Sequence, residues 1–386
     1  MQAALRAVGL LLAVGASGAS ALIVLPAPSK TLALAAIVAS ERSAFLVAAG
    51  MLALLLAFAG RAPQSPLAPI ATAVLAAAAI AIAALPLAQA RRVARERGVA
   101  LDAGAYLRAR IDSEGPGAPD RTVPYATVDG GRVLSLDVYL PAGRRASSRA
   151  IVVAHGGFWA AGERGEATLA SRRLANLGFT VFDVDYRLAP QPNWQAALGD
   201  LKCAVGWVKQ HAADYLIDPA QVVLLGRSAG GHLALMAAYT PGDRDLPASC
   251  ATGDTAVSAV IALYPPTDLA WAYAHPGNLR AADSPAKLRA FLGDTPEREP
   301  DRYRALSPAE RVTPAAPPTL VAQGGRDQMV PPDQMDRLVA RLRAAGVRHD
   351  ALFIPYAQHA FDFVPGSFSS QLLEDAMLRF LGASPR

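Results

Sequence analysis

Cysteine is almost missing from this chain. Its 386 residues hold two, Cys203 and Cys250. Their placement makes neither a zinc-type cluster nor a disulfide framework. Each reads as a small core or loop residue, with one bridge between them open if the domain is exported. Histidine is also scarce, at six residues, so each can be weighed singly as a base. Aromatic residues make up 6% and charged residues 18% of the chain. There is no dense Lys/Arg run and no basic patch interleaved with aromatics, which excludes a dedicated nucleic-acid surface. The net charge of +5 is spread out and fits a solvated surface plus membrane flanks. Internal repeats are absent.

Apolar residues are what the chain has in excess. They form 52% of it, and the mean hydropathy of +0.24 is high for a soluble protein. Three nearly uncharged stretches come first, at 7–25, 43–60 and 67–90. Each approaches the roughly 20 residues that a helix needs to cross a bilayer. Residues 31–40 are also apolar, but Glu41 and Arg42 follow, and burying those charges in a bilayer is costly. The pattern therefore predicts an interfacial 31–40 segment and a span starting near Ser43. Residues 1–90 are read as a membrane region of about three transmembrane helices. Arg6, a short apolar run and Ala19-Ser20-Ala21 also look like a signal peptide, but the run continues through Leu25, which favours an uncleaved span. With three spans, Lys30, Arg42, Arg91, Arg92, Arg95 and Arg97 share one side and Arg6 and Arg61 the other. The positive-inside rule then puts the C-terminal part in the cytoplasm of a bacterial-type inner membrane. If the first stretch is cleaved, that part is exported instead.

Residues 91–121 form an arginine-rich connector, helical over 91–110 and linker-like over 112–119. From 122 to 386 short strands alternate with helices. The strands are expected at 123–129, 132–140, 150–154, 179–185, 222–225, 257–264, 319–323 and 351–354, the first two joined as a hairpin by Gly130-Gly131. Such alternation predicts an α/β domain, a mainly parallel eight-stranded sheet covered on both faces. Ligands in these sheets bind beyond the strand C-termini, so each candidate residue is tested by whether it follows a strand.

Gly226-Arg227-Ser228-Ala229-Gly230 follows a β-branched run and opens a helical one. Strand, Gly-x-Ser-x-Gly, helix is the setting of a nucleophile elbow, with Ser228 exposed on a sharp turn. His155-Gly156-Gly157-Phe158-Trp159 follows another strand, and glycines there let backbone N–H groups approach a ligand. The expected oxyanion donors are the N–H groups of Gly156, Gly157 and Phe158, joined by that of Ala229. His155 is read as holding the loop beside the pocket, and Trp159 as pocket wall or loop packing. Asp327, in Gly324-Gly325-Arg326-Asp327, follows the penultimate strand and is the expected acid. Asp268, Asp333 and Asp362 are its rivals. His359 follows the last strand and is the expected base. His211 sits in a helical run, His232 just after the elbow, His275 in a Pro/Gly loop and His349 at a strand start. The chain order Ser228, Asp327, His359 suits this type of elbow.

Together these pieces, with Asp185-Tyr186-Arg187-Leu188-Ala189-Pro190 and His359-Ala360-Phe361, resemble the α/β-hydrolase fold. More narrowly, they resemble the carboxylesterase/lipase group related to hormone-sensitive lipase and to bacterial feruloyl-esterase-like enzymes. The resemblance covers roughly residues 122–386. It implies two-step acyl transfer from a small or lipid-like ester through Ser228, His359 and Asp327, with no metal or cofactor needed. It gives 185–190 a structural role. Phe158 departs from the lipase-type His-Gly-Gly-Gly. His-Gly-Gly-aromatic-Trp is similar to kynurenine formamidases, and a membrane-attached enzyme with His-Gly-Gly-x-Trp is similar to isoprenylcysteine methylesterases. Both leave the substrate open. A non-catalytic membrane scaffold that kept the fold, and a serine peptidase of related fold, are the other readings. Residues 271–311 form either a lid or a cover for the sheet.

Overall fold

A computed structural model describes residues 2–60, 67–108, 117–141, 147–279 and 282–383. The expected break at 61–66 and most of the expected linker at 112–119 lie outside the described residues.

The apolar N-terminal sequence forms four helices, α1 (Gln2–Val24), α2 (Lys30–Glu41), α3 (Ser43–Ala59) and α4 (Leu67–Arg97). Among the described residues, α1 and α4 are long and apolar enough to cross a membrane, and the bent pair α2 and α3 makes a third candidate. The 43–60 stretch is thus a helix of 17 residues, bent by 81° from α2. The break falls at Arg42, where the sequence predicts it, and α2 caps on the Ser29 hydroxyl, which accepts from Leu32 N–H at 3.3 Å. Small residues face inward in this bundle: Ala13, Ala53 and Ala76 are fully buried. Large ones face outward, with Leu11 73% and Leu67 79% exposed. Ser17 and Ser20 donate from α1 to the carbonyls of Leu75 and Ala79 on α4, at 2.9 and 3.3 Å. A soluble core has the opposite polarity. Close approach through small residues, sealed by hydroxyl bonds, is how helices associate in lipid.

α4 continues to Arg97, past the expected end of the span at residue 90. Its 31 residues make a rod of about 46 Å, longer than the ~30 Å hydrocarbon layer. The surplus enters the C-terminal domain, where Ala90, Val93 and Ala94 join the core and Arg97 pairs with Asp350. The short helix α5 (Ala103–Arg108) adds a second joint. Tyr106 packs on Phe368 with ring centres 4.4 Å apart, its hydroxyl accepts from Ala44 N–H at 3.1 Å, and its carbonyl accepts from Arg42 at 2.8 Å.

The C-terminal domain runs β1 (Arg121–Val128), β2 (Arg132–Tyr139), β3 (Ala150–Ala154), α6 (Thr168–Asn176), β4 (Thr180–Val184), α7 (Trp194–Gln210), β5 (Val222–Arg227), α8 (Ala229–Tyr239), β6 (Ala259–Leu263), α9 (Leu269–Ala274), α10 (Ser284–Leu292), α11 (Pro300–Ala305), β7 (Thr319–Gly324), α12 (Asp333–Ala344), β8 (His349–Ile354) and α13 (Phe368–Phe380). One eight-stranded sheet has the order β1-β2-β4-β3-β5-β6-β7-β8. β1 and β2 are antiparallel, and β3 to β8 run parallel. The hairpin turns on Gly130 and Gly131, at φ 72° and 77°. β5 is buried at every position, which is why Val222 to Leu225 reads as an unbroken apolar run. α7, α8 and α12 cover one face of the sheet. α6, α13 and the end of α4 cover the other. Cys203 on α7 and Cys250 form a disulfide with Cα atoms 5.7 Å apart.

The inner face of the bundle leaves no room for larger side chains. A Cβ on Gly50 would lie 2.7 Å from Ile80 Cγ1 and 3.2 Å from the Ala76 carbonyl. Gly50→Leu is therefore expected to part α3 from α4 and to cost about 1–3 kcal/mol, read as a lower thermal midpoint of the detergent-solubilised chain.

Candidate active site

β5 ends at Arg227 and α8 begins at Ala229, so one residue makes the whole turn. Ser228 takes φ 53° and ψ −118°, a strained setting that L-residues rarely adopt. The flanking glycines are what permit it. A Cβ on Gly226 would sit 2.1 Å from the Gly230 carbonyl, and one on Gly230 would sit 2.2 Å from the His155 carbonyl. The turn is tied down by the Ser228 N–H, which donates to Leu263 O at 2.9 Å.

The Ser228 hydroxyl lies 3.0 Å from His359 Nε2. On the other side of the ring, Nδ1 lies 2.7 Å from Asp327 Oδ2. Asp327 is fixed in turn: Oδ1 accepts from the N–H groups of Met329 and Val330, both at 2.9 Å, and Oδ2 accepts from Gln323 at 3.0 Å. The loops after β5, β7 and β8 thus bring Ser228, Asp327 and His359 into one hydrogen-bonded series. The rival carboxylates are engaged elsewhere. Asp268 caps α9 and binds Arg337, Asp333 opens α12, and Asp362 is held by Arg227 and Tyr264, each at 2.6 Å.

The loop after β3 turns back through three consecutive positive φ values, at Gly157, Phe158 and Trp159. A Cβ on Gly157 would collide with the Ala161 carbonyl at 2.0 Å. The N–H of Gly156, expected among the oxyanion donors, already donates to Glu166 Oε2 at 3.2 Å. Among the described residues, no hydrogen bond engages the N–H groups of Gly157, Phe158 or Ala229. Burial pushes the Glu166 carboxyl above its ordinary value. No motif marks Glu166, because its role depends on loop geometry alone.

His155, expected to hold the loop beside the pocket, is buried and is not among the residues lining the cavity. Its ring stacks on Tyr186 at 4.2 Å, and its Nδ1 bonds the Gly156 carbonyl at 2.8 Å. Trp159 does line the cavity and also packs, stacked on Phe291 at 4.4 Å. Its indole N–H donates to His232 Nδ1 at 3.2 Å, so His232 must donate from Nε2 to the Leu306 carbonyl at 2.8 Å. His211, His275 and His349 each bond a nearby carbonyl through Nδ1.

A cavity of about 450 Å³, counting the part open to solvent, adjoins Ser228. Phe158, Trp159, Leu288, Met329 and Val330 make its walls mostly apolar. The segment carrying α9 and α10 supplies Ala272, Pro276 and Gly277 to it, and so forms one side of the site. Among the described residues, no group of three or more His, Cys, Asp or Glu is placed to hold a metal ion.

A mainly parallel eight-stranded sheet whose fifth strand feeds a Gly-x-Ser-x-Gly elbow, with a carboxylate and an imidazole on the loops after β7 and β8, is the α/β-hydrolase fold. Residues 136–342 match the BD-FAE family, more than half of the chain, and the chain belongs to that family. It is similar to "Esterase LipQ" of Mycobacterium tuberculosis, at 33% identity over 266 residues, which is 67% of this chain and 61% of that one. It is 35% identical to "Esterase LipC" of the same organism over 223 residues, 56% of this chain and 54% of that one. The chain therefore spans less than two thirds of the length of these relatives. Among solved structures, Thermogutta terrifontis esterase 2 phosphonylated by sarin is similar, with 28% identity and a TM-score of 0.58 over 72% of this chain and all of that one.

His232 gives the site a pH dependence with a definite sign. Burial lowers its imidazole from 6.5 to about 4. Between those values the unfolded chain binds a proton that the folded chain refuses. The contribution of His232 to stability should fall as pH drops from about 6.5 towards 4, by at most ~1.4 kcal/mol per pH unit. Asp183, pushed up to about 7 by burial, titrates with the opposite sign over that range, so the slope is read as the change with pH in the difference between the thermal midpoints of the wild-type chain and His232→Gln.

Proposed function

We propose that this chain is a membrane-anchored serine hydrolase that cleaves carboxylic esters through an acyl-enzyme. The observation that carries the reading is the series from Ser228 Oγ through His359 to Asp327, at 3.0 and 2.7 Å. His359 Nε2 takes the proton as Ser228 attacks the ester carbonyl. Asp327 accepts the Nδ1 hydrogen, which fixes the tautomer and stabilises the imidazolium. The N–H groups of Gly157, Phe158 and Ala229 bind the developing oxyanion, and each such donor is worth about 3–4 kcal/mol in known cases. Gly156 is left out of this set, because Glu166 occupies its N–H. His359 then returns the proton to the leaving alcohol, and water repeats the sequence to free the acid. The esterase names of the relatives and the phosphonylated neighbour support this chemistry.

Residues 2–97 serve as the anchor in this reading and 121–383 as the catalytic domain. The catalytic domain is proposed to lie in the cytoplasm, since Lys30, Arg42 and the four arginines from 91 to 97 lie towards it while Arg6 lies at the far end of α1. The Cys203–Cys250 pairing argues the opposite way, because disulfides persist in oxidising compartments. Labelling of Leu216→Cys, at a position 87% exposed, in intact cells decides between them: reaction only with a membrane-permeant thiol reagent is expected for the cytoplasmic orientation.

Ser228→Ala should lower turnover of p-nitrophenyl butyrate by at least ~10⁴-fold and abolish labelling by a fluorophosphonate, with the thermal midpoint little changed. Retained turnover in a folded variant overturns the reading.

A further inference from the structure

We infer that the active site takes its ester laterally from the membrane in which the chain is anchored, so that its substrate class is a long-chain acyl ester held in the bilayer. The inference rests on the serine-esterase reading above and on insertion of α1 and α4.

The anchor forms part of the rim of the site. Ala27 and Ala33, from the α1–α2 connection and α2, pack with Leu279 and Ala282 at the tip of the α9–α10 segment. Phe158 and Met329 pack against the same cluster, and both also line the cavity at Ser228. The loops that bear the acid and the base are gripped as well. Ala27 N–H donates to Gln328 Oε1 at 2.6 Å, and Gln328 donates to Gln358 Oε1 at 3.1 Å. Tyr356, in the His359 loop, packs on Ile23, Ala39 and Ala83 of the bundle. The Asp327 loop thus rests on the α1–α2 connection and the His359 loop on the bundle.

This rim lies at the level of the membrane surface. α1 ends at Val24 and α3 starts at Ser43, and α2, bent 81° from α3, crosses between them. A short apolar helix lying across the ends of spanning helices sits in the plane of the bilayer interface. On it and beside it, Leu34 is 61% and Leu25 58% exposed, in a position that only lipid would cover favourably. A second cleft opens beside the same connection, between Ile23 to Pro26 and the residues Arg326 to Gln328. An acyl chain leaving Ser228 past Phe158 and Met329 therefore meets the bilayer surface, and its headgroup would remain at the interface. A soluble ester has no need of this arrangement. For a lipid, it replaces release into water with a short lateral step.

The test uses the full chain reconstituted in vesicles. A long-chain fluorogenic ester is placed either in the same vesicles as the protein or in separate ones, and soluble p-nitrophenyl butyrate is assayed in parallel. Lateral capture predicts that the ester in the same vesicles is cleaved at least about tenfold faster, because sharing a membrane raises its effective concentration at the rim. The double variant Leu25→Ser/Leu34→Ser leaves the packed faces intact. It should lower the same-vesicle rate about fivefold or more while leaving butyrate turnover within about twofold. Equal rates for shared and separate vesicles, with butyrate still cleaved, overturn the inference and leave the esterase reading standing. A parallel loss of butyrate turnover in the double variant also overturns it, since the rim would then act only through the fold. Absence of butyrate turnover in the wild-type chain instead sinks the esterase reading beneath it.

Discussion

Ser228 can hold φ 53° only where no side chain stands at residues 226 and 230, because either Cβ would run into backbone oxygen at about 2 Å. Much of the domain follows from that constraint. β5 must sit centrally and be buried on both faces, so that its end is held rigidly enough to store the strain. α8 must pack close beneath β3 and β6, which the same glycines allow. The serine is then presented where the loops after β7 and β8 can reach it. Each of those loops is fixed by its own bonds, Asp327 by two backbone N–H groups and Gln323, so the series does not depend on His359 to align it.

The N-terminal helices and the C-terminal domain are joined by structure, not by a loose tether. α4 passes from bundle to core as one helix, so rotation between the two parts would break the packing of Ala90, Val93 and Ala94. Tyr106 fills the remaining gap at the start of α3. Glu41, costly inside a bilayer, accepts from Ser369 of the C-terminal domain at 2.9 Å. The charges that break the apolar pattern at 41–42 are therefore the points where the two parts meet.

The strands, the helices between them and the positions of Ser228, Asp327 and His359 were legible because local rules specify them: period, glycine placement and the end of a strand. The long apolar helices were legible by composition, except at the end of α4, where alanine and arginine both suit a helix and nothing local marks where it stops. What was not legible depends on distant contacts. Glu166 reaches Gly156 only after the loop folds back. His155 reads as a residue that holds its loop, but nothing local shows that Tyr186, on another loop, stacks on its ring. His232 and Trp159 meet across 73 residues. Gln328 looks like any turn residue until the α1–α2 connection supplies the N–H that it accepts.

Arg227, the residue before Ser228 in the elbow, shows how His359 is supported from below. Its side chain is buried and bonds Asp362 at 2.6 Å. Tyr264 donates to the other Asp362 oxygen at 2.6 Å, and the tyrosine ring lies 4.4 Å from that of His359. Taking both charges out of water costs several kcal/mol per ion, and a buried pair seldom recovers this as net stability. Its effect is geometric. The three residues come from the end of β5, the end of β6 and the loop after β8, so the pair locks the strand before Ser228 to the loop that carries His359. Removing either partner would strand a buried charge and release that loop, whereas an apolar replacement of both could keep the fold and still lose the fixed floor under His359. The cost of burying the pair is thus tied to holding His359 within reach of Ser228, in a turn that is itself strained.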